Sequence, residues 1–437
     1  MQADTLIHAR WIIPVEPDGL ILENHTLAIA AGKIVDLIPR QQAEEKYQAD
    51  TIENLLHHAL IPGMVNAHTH AGMTLLRGIA DDLPLMDWLQ NHIWPLEKKW
   101  VSEAFVRDGT DIAIAEMLSG GVTCFNDMYF FPEITAKQAM HAGIRASIGL
   151  ILVDFPSAWA EHADDYISKG LALYDQLKNT PLISMAFAPH APYTVSDSAL
   201  KLMQVFAEEL QLPVHMHVHE TQAEIEHSLK DYGKRPLARL RDLGLVGPSL
   251  LAVHMTQVTD DELALFAESG GSIVHCPESN LKLASGFCPV ARCLAAGINV
   301  ALGTDSAASN NDLDMLGEIR SAALLAKGVA GDASAVPASA ALRMATINGA
   351  KALGLDDKIG SLEPGKSADI AAIRLDGLEV QPMYNPVSQI VYAAGRHRIS
   401  DVWIAGRQLL KDRQLTTLDV SALRERAVFW HGRLADS

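Results

Sequence analysis

Between residues 59 and 305 the chain returns eight times to a short, nearly uninterrupted apolar run. The runs are ALIPGMVNAH (59–68), VTCFNDM (122–128), IRASIGLILV (144–153), PLISMAFAP (181–189), LPVHMHVHE (212–220), LLAVHM (250–255), SIVHCP (272–277) and INVALGTD (298–305). Continuous apolar runs of this length, rather than alternating ones, fit parallel strands buried on both faces. Helical patterns lie between them, for example over residues 196–210 and 260–267. Eight strands with crossover helices predict a (β/α)8 TIM barrel, in which reactive side chains collect at the C-terminal ends of the strands.

The two ends of the chain read differently. HTLAIAAGKIVDLI (25–38) alternates apolar and polar residues on both sides of Ala31-Gly32, a hairpin pattern, and DVWIAGRQLL (401–410) repeats it around Ala405-Gly406. With the apolar run SADIAAIR (367–374) these predict one small β-sandwich built from both chain ends. The expected division is residues 1–60 and 361–437 for the sandwich and a C-terminal helix, and 61–360 for the barrel.

Composition removes several classes of function. Thirty-five basic against 53 acidic side chains leave a formal charge of −18, the wrong sign for a phosphate backbone or an anionic membrane surface. Residues 54–76 are uncharged but contain four histidines, two asparagines and a proline, a poor membrane span. The start, MQADTLIHARWIIPVEP, does not read as a signal peptide. Cys124, Cys276, Cys288 and Cys293 are few and form no CxxC pair, so neither a disulfide framework nor a cysteine zinc site is expected. A cytoplasmic chain is the expectation.

The polar residues of the eight runs are badly placed for a core. His68 and His70 end the first run as an HxH pair; alternate residues of a strand share a face, so both rings point into the barrel mouth. With 18 histidines in the chain, one such pair alone is not diagnostic. The fifth run adds His215, His217 and His219, then Glu220; the sixth ends on His254 and the eighth on Asp305. Individually, His254 reads as a hydrogen-bonded core histidine and Asp305 as a helix cap. Together, at the ends of strands of one barrel, they make a set of imidazoles and a carboxylate suited to Zn²⁺ or Fe²⁺. Such an ion lowers the pKa of a bound water, and Glu220 is free to shuttle a proton.

These motifs carry a resemblance. PGMVNAHTH (62–70), HVHE (217–220), HCPESNLKLASG (275–286), GTD (303–305) and ATINGAKALGLDDKIGSLEPGKSADIAAI (345–373) resemble the amidohydrolase superfamily over nearly the whole chain. WPLEKKW (94–100), APHAPYT (188–194) and CPESNLKLASGFCPV (276–290) are similar to its 5′-methylthioadenosine/S-adenosylhomocysteine deaminases. The resemblance implies one divalent metal per subunit, zinc first among the candidates, held by His68, His70, His217 and Asp305. Binuclear relatives use a lysine from the fourth strand, and PLISMAFAPHAP (181–192) has none. It further implies Glu220 as the acid/base, His254 and Asp305 beside the attacking water, Glu97 on the ribose hydroxyls and His190 on the purine. The implied reaction is hydrolytic deamination at purine carbon 6, and the implied assembly a homo-oligomer, dimer or tetramer.

Trp88, Trp94, Leu85 and Met73 surround the Glu97 segment and offer an apolar wall for a 5′-methylthio group. One departure bears on substrate choice. Several relatives carry an arginine near the end of the third strand, suited to an amino-acid carboxylate; here LILVDFPSAW (150–159) has none, and Arg145 lies at the strand's beginning. Methylthioadenosine is therefore expected to be preferred over S-adenosylhomocysteine, and adenosine is expected as a further, weaker substrate. Guanine deaminases and triazine amino- or chlorohydrolases share the barrel and HxH pair, but have no use for a ribose-binding acid. A non-catalytic scaffold is the remaining alternative, and it is expected to lack ligands that are all present here.

Overall fold

The computed structural model describes residues 1–435. Eight strands form one parallel sheet with neighbours in chain order: Met64–Thr69, Val122–Asp127, Arg145–Leu152, Ile183–Pro189, Val214–Val218, Leu250–His254, Ser272–His275 and Asn299–Leu302. A parallel bridge between Thr69 and Asp305 joins the last strand's exit to the first and closes the barrel. Nearly every strand residue is buried, because the sheet is covered by helices outside and packed with side chains inside.

The intervening helices start where local chemistry dictates. Ser102, Ser196 and Thr221 accept hydrogen bonds from Phe105, Ala199 and Glu224 backbone N–H groups at the starts of Glu103–Ser119, Asp197–Leu210 and Gln222–Tyr232. Thr259 and Glu262 make a reciprocal capping box at the start of Asp260–Ser269.

A second eight-stranded sheet draws on both chain ends. Gln2–Ile12 lies between Leu22–Ala30 and Gln48–Pro62, and Ile370–Arg374 then joins Gln48–Pro62 to Ile399–Ile404. Both expected hairpins are present, turning through left-handed Ala31-Gly32 and Ala405-Gly406. The two turns abut: a Cβ on Gly32 would sit 2.7 Å from the Ala405 carbonyl oxygen, and one on Gly406 would sit 2.9 Å from Gly32 Cα.

One expected strand is in fact two. Of ALIPGMVNAH, residues 59–62 pair in the small sheet and Met64–Thr69 in the barrel. Gly63 makes the exchange, since a Cβ there would lie 2.1 Å from two side-chain atoms of Thr123. Apolar content cannot reveal the break because both halves are buried. No helix among the described residues is long and apolar enough to cross a membrane.

Candidate active site

Four side chains from three strand ends meet at the floor of the barrel mouth. His68, His70, His217 and Asp305 each offer a ligand atom, all within 4.8 Å of one another. The Nε2 atoms of His68 and His70 each lie 3.3 Å from Asp305 Oδ1, and those of His217 and His68 are 3.2 Å apart. Two donors about 2.05 Å from one tetrahedral ion stand about 3.3 Å apart, so this donor set fits a zinc-sized cation.

The rings are held with the correct nitrogen inward. His70 Nδ1 donates to the Met128 carbonyl at 2.5 Å and His217 Nδ1 to the His190 carbonyl at 2.7 Å, leaving each Nε2 lone pair facing the centre. His68 Nδ1 meets another imidazole, His215 Nε2, at 2.8 Å, with Asn126 behind it at 3.1 Å. Burial keeps His68 uncharged down to about 4. It pushes against ionisation of Asp305 too, but the neighbouring imidazoles of His68 and His70 outweigh it and hold that carboxyl well below the usual range. Ser279 donates to Asp305 Oδ2 at 2.7 Å and the Ser306 N–H to Oδ1 at 2.7 Å.

The fifth strand does not present three histidines to one face. His215 and His217 point inward, but the strand ends at Val218 and His219 turns left-handed, at φ 56°. Its ring leaves the site, accepts the Leu237 N–H at 3.0 Å and lies 3.6 Å from Glu262. The same turn swings Glu220 into the mouth, with Oε2 3.7 Å from His254 Nε2 and Oε1 3.4 Å from Ser285 Oγ. Burial raises the Glu220 carboxyl, so it retains a proton to higher pH than an exposed glutamate. His254 Nδ1 donates to Asn280 Oδ1 at 2.8 Å, and its Nε2 stands 4.0 Å from Asp305 Oδ2.

Above this floor rises a cleft lined by side chains from several strand exits. Glu97, His190, Glu220, His254 and Asp305 all line it, as do the four anticipated apolar residues Met73, Leu85, Trp88 and Trp94. Phe155 faces Trp94, with ring centroids 6.5 Å apart. Glu97 accepts a 2.7 Å hydrogen bond from Tyr129, and burial pushes its carboxyl up to about 7. His190, held neutral by burial down to about 3, sets its Nδ1 3.1 Å from the Thr194 hydroxyl. Tyr129, Tyr193, Ser279, Ser285 and Asn280 were not singled out from the sequence; Tyr129 could have been, because it follows directly on a barrel strand's exit.

Among the described residues, no lysine or arginine lines the cleft. Arg145 is spent at the opposite end of its strand, on Asp369 at 2.9 and 3.2 Å and Ser367 at 3.1 Å.

A closed parallel barrel with three histidines and an aspartate at its mouth defines a class, and residues 59–409 match the model of the amidohydrolase family. The chain belongs to that family. It is 52% identical to the 5-methylthioadenosine/S-adenosylhomocysteine deaminase of Teredinibacter turnerae, over 99% of this chain and 98% of that one. A crystal structure of an adenosine deaminase from Xanthomonas campestris with bound zinc is 51% identical, with a TM-score of 0.99 over 100% of this chain and 99% of that one. The zinc complex of atrazine chlorohydrolase from Arthrobacter aurescens superposes with a TM-score of 0.90 over 98% and 99% of the two chains; at 23% identity it shares the fold alone.

Proposed function

We propose that this chain is a metal-dependent hydrolytic deaminase of 5′-methylthioadenosine, acting less well on S-adenosylhomocysteine and adenosine. The observation that carries the reading is a single cleft with four convergent metal-type donors on its floor, a buried carboxylate in its wall and no cation. The names of the relatives at 52% and 51% identity support the deaminase chemistry.

One zinc ion per chain, on His68, His70, His217 and Asp305, would supply the Lewis acidity that makes hydroxide available near neutral pH. The protein's own groups do the rest. His190 orients the purine and Glu97, fixed by Tyr129, accepts from the ribose diol. Glu220 protonates ring nitrogen 1 as hydroxide adds to carbon 6. His254, anchored by Asn280, and Asp305 hold the added oxygen. The proton given to ring nitrogen 1 is the one Glu220 takes from the attacking water. Glu220 then takes the proton left on the added hydroxyl and passes it to the amino group, so that the carbonyl forms and ammonia leaves, and methylthioadenosine yields methylthioinosine. We further propose a cytoplasmic homo-oligomer, and residues 1–60 with 361–437 as one domain beside the barrel of residues 61–360.

Substrate preference follows from the lining. The 5′ side is walled by indole and aliphatic groups, and a carboxylate brought there finds no cationic partner, which is costly. A difference of only about 1.4 kcal/mol is tenfold in rate or affinity. Following ultraviolet absorbance during turnover should give kcat/KM for methylthioadenosine at least about tenfold above S-adenosylhomocysteine. Equal values would overturn the pocket assignment, and turnover of guanine or a triazine alone would overturn the nucleoside reading.

A further inference from the structure

Two helices in this protein begin with the same four-residue pattern, Thr-x-x-Glu, at Thr221–Glu224 and Thr259–Glu262. At the second, the pattern does what its chemistry ordinarily does: Glu262 reaches back and accepts the backbone N–H of the capping Thr259 at 3.0 Å. At the first, Thr221 still caps, but Glu224 passes over the Thr221 N–H. Its Oε1 accepts the His219 N–H at 3.1 Å and its Oε2 the Glu220 N–H at 2.7 Å. Both bonds are made by a carboxylate that is itself 6% exposed.

The turn so gripped is the left-handed one at His219 that aims Glu220 at the cleft. The remaining handles on this turn come from elsewhere: the Thr256 hydroxyl donates to the Glu220 carbonyl at 2.6 Å, and the His219 carbonyl accepts the Thr256 and Gln257 N–H groups at 3.0 and 3.1 Å. Glu224 is thus the group that holds both N–H donors of the turn, and it does so without lining the substrate cleft. A helix cap alone has no need of this, because the first turn of Gln222–Tyr232 is already capped by Thr221.

We propose that Glu224 is a positioning residue for the deamination, fixing the backbone of Glu220 so that its carboxyl meets the ring nitrogen and the attacking water. The proposal rests on the reading of Glu220 as the acid/base. Glu224→Gln keeps the size but replaces one acceptor oxygen with a donor that opposes a backbone N–H. Only the aim of Glu220 then changes, and kcat should fall about ten- to a hundredfold while KM for methylthioadenosine and metal content stay within about twofold.

Two further readouts separate positioning from plain structural support. The pH profile of kcat should shift in Glu224→Gln, and Glu224→Asp, which keeps both acceptor oxygens, should recover part of kcat. In a double-mutant cycle, adding Glu224→Gln to Glu220→Gln should cost no further activity, because Glu224 acts only through Glu220. An inactive Glu220→Gln beside a Glu224→Gln protein with ordinary kcat and an unshifted profile would overturn the positioning role alone. Ordinary activity in Glu220→Gln would overturn the acid/base reading beneath it. A lowered Tm with kcat per metal-loaded chain unchanged would make Glu224 a stability residue only.

Discussion

Glu220, buried, and Glu97, half-buried, are two carboxylates lining one cleft, and their surroundings suit them to different work. Glu220 faces His254 and a serine hydroxyl, near the floor where the donors converge. Replacing it with glutamine keeps shape and hydrogen bonding but removes the transferable proton. Glu220→Gln should bind methylthioadenosine with affinity within about threefold of wild type and lose at least about a hundredfold in kcat. Equilibrium dialysis beside the absorbance assay checks both halves. Glu97 accepts a hydrogen bond from Tyr129, and burial pushes its carboxyl up to about 7. Accepting two ribose hydroxyls needs the ionised form, which is lost as pH falls through that value. KM for methylthioadenosine should therefore rise as pH drops below about 7, and initial rates across that range would show it. A Glu97→Gln variant should have a high KM with little pH dependence.

At the scale of elements, close backbone approaches govern how the two sheets join. Gly63 ends the small-sheet strand and begins the barrel strand that delivers His68 and His70, against Thr123. Gly63→Ala should lower stability by about 1–3 kcal/mol through overpacking, read as a reduced Tm in a thermal melt with the deaminase kcat of the folded fraction little changed. An unchanged Tm would show that the junction has room to spare. This junction also shows where reading the chain stops. Eight strands, their order and the residues at their exits were legible because parallel strands buried on both faces write themselves as apolar runs interrupted only by site residues. The break inside ALIPGMVNAH was not, since it depends on a neighbour 60 residues away. The departure of His219 was hidden for a related reason: strand alternation predicts one face for residues 215, 217 and 219, and only the left-handed turn, held by Glu224, cancels it. Tyr129 carried one signal, its place just past a barrel strand's exit, but nothing in the sequence joins it to its partner Glu97, which lies on a different element.

For the whole molecule, the chain is a parallel barrel whose mouth holds all the proposed chemistry and whose far side carries a sheet knit from both termini. The site itself depends on joining strands one, five and eight, with donors spaced for one ion of zinc size. The most direct test is therefore a titration of chelator-stripped protein with Zn²⁺, following deamination of 5′-methylthioadenosine and bound metal in the same samples. Turnover should be absent without metal, rise linearly and level off at one ion per chain. Full activity in the metal-free protein, or a break at two ions, would contradict the account.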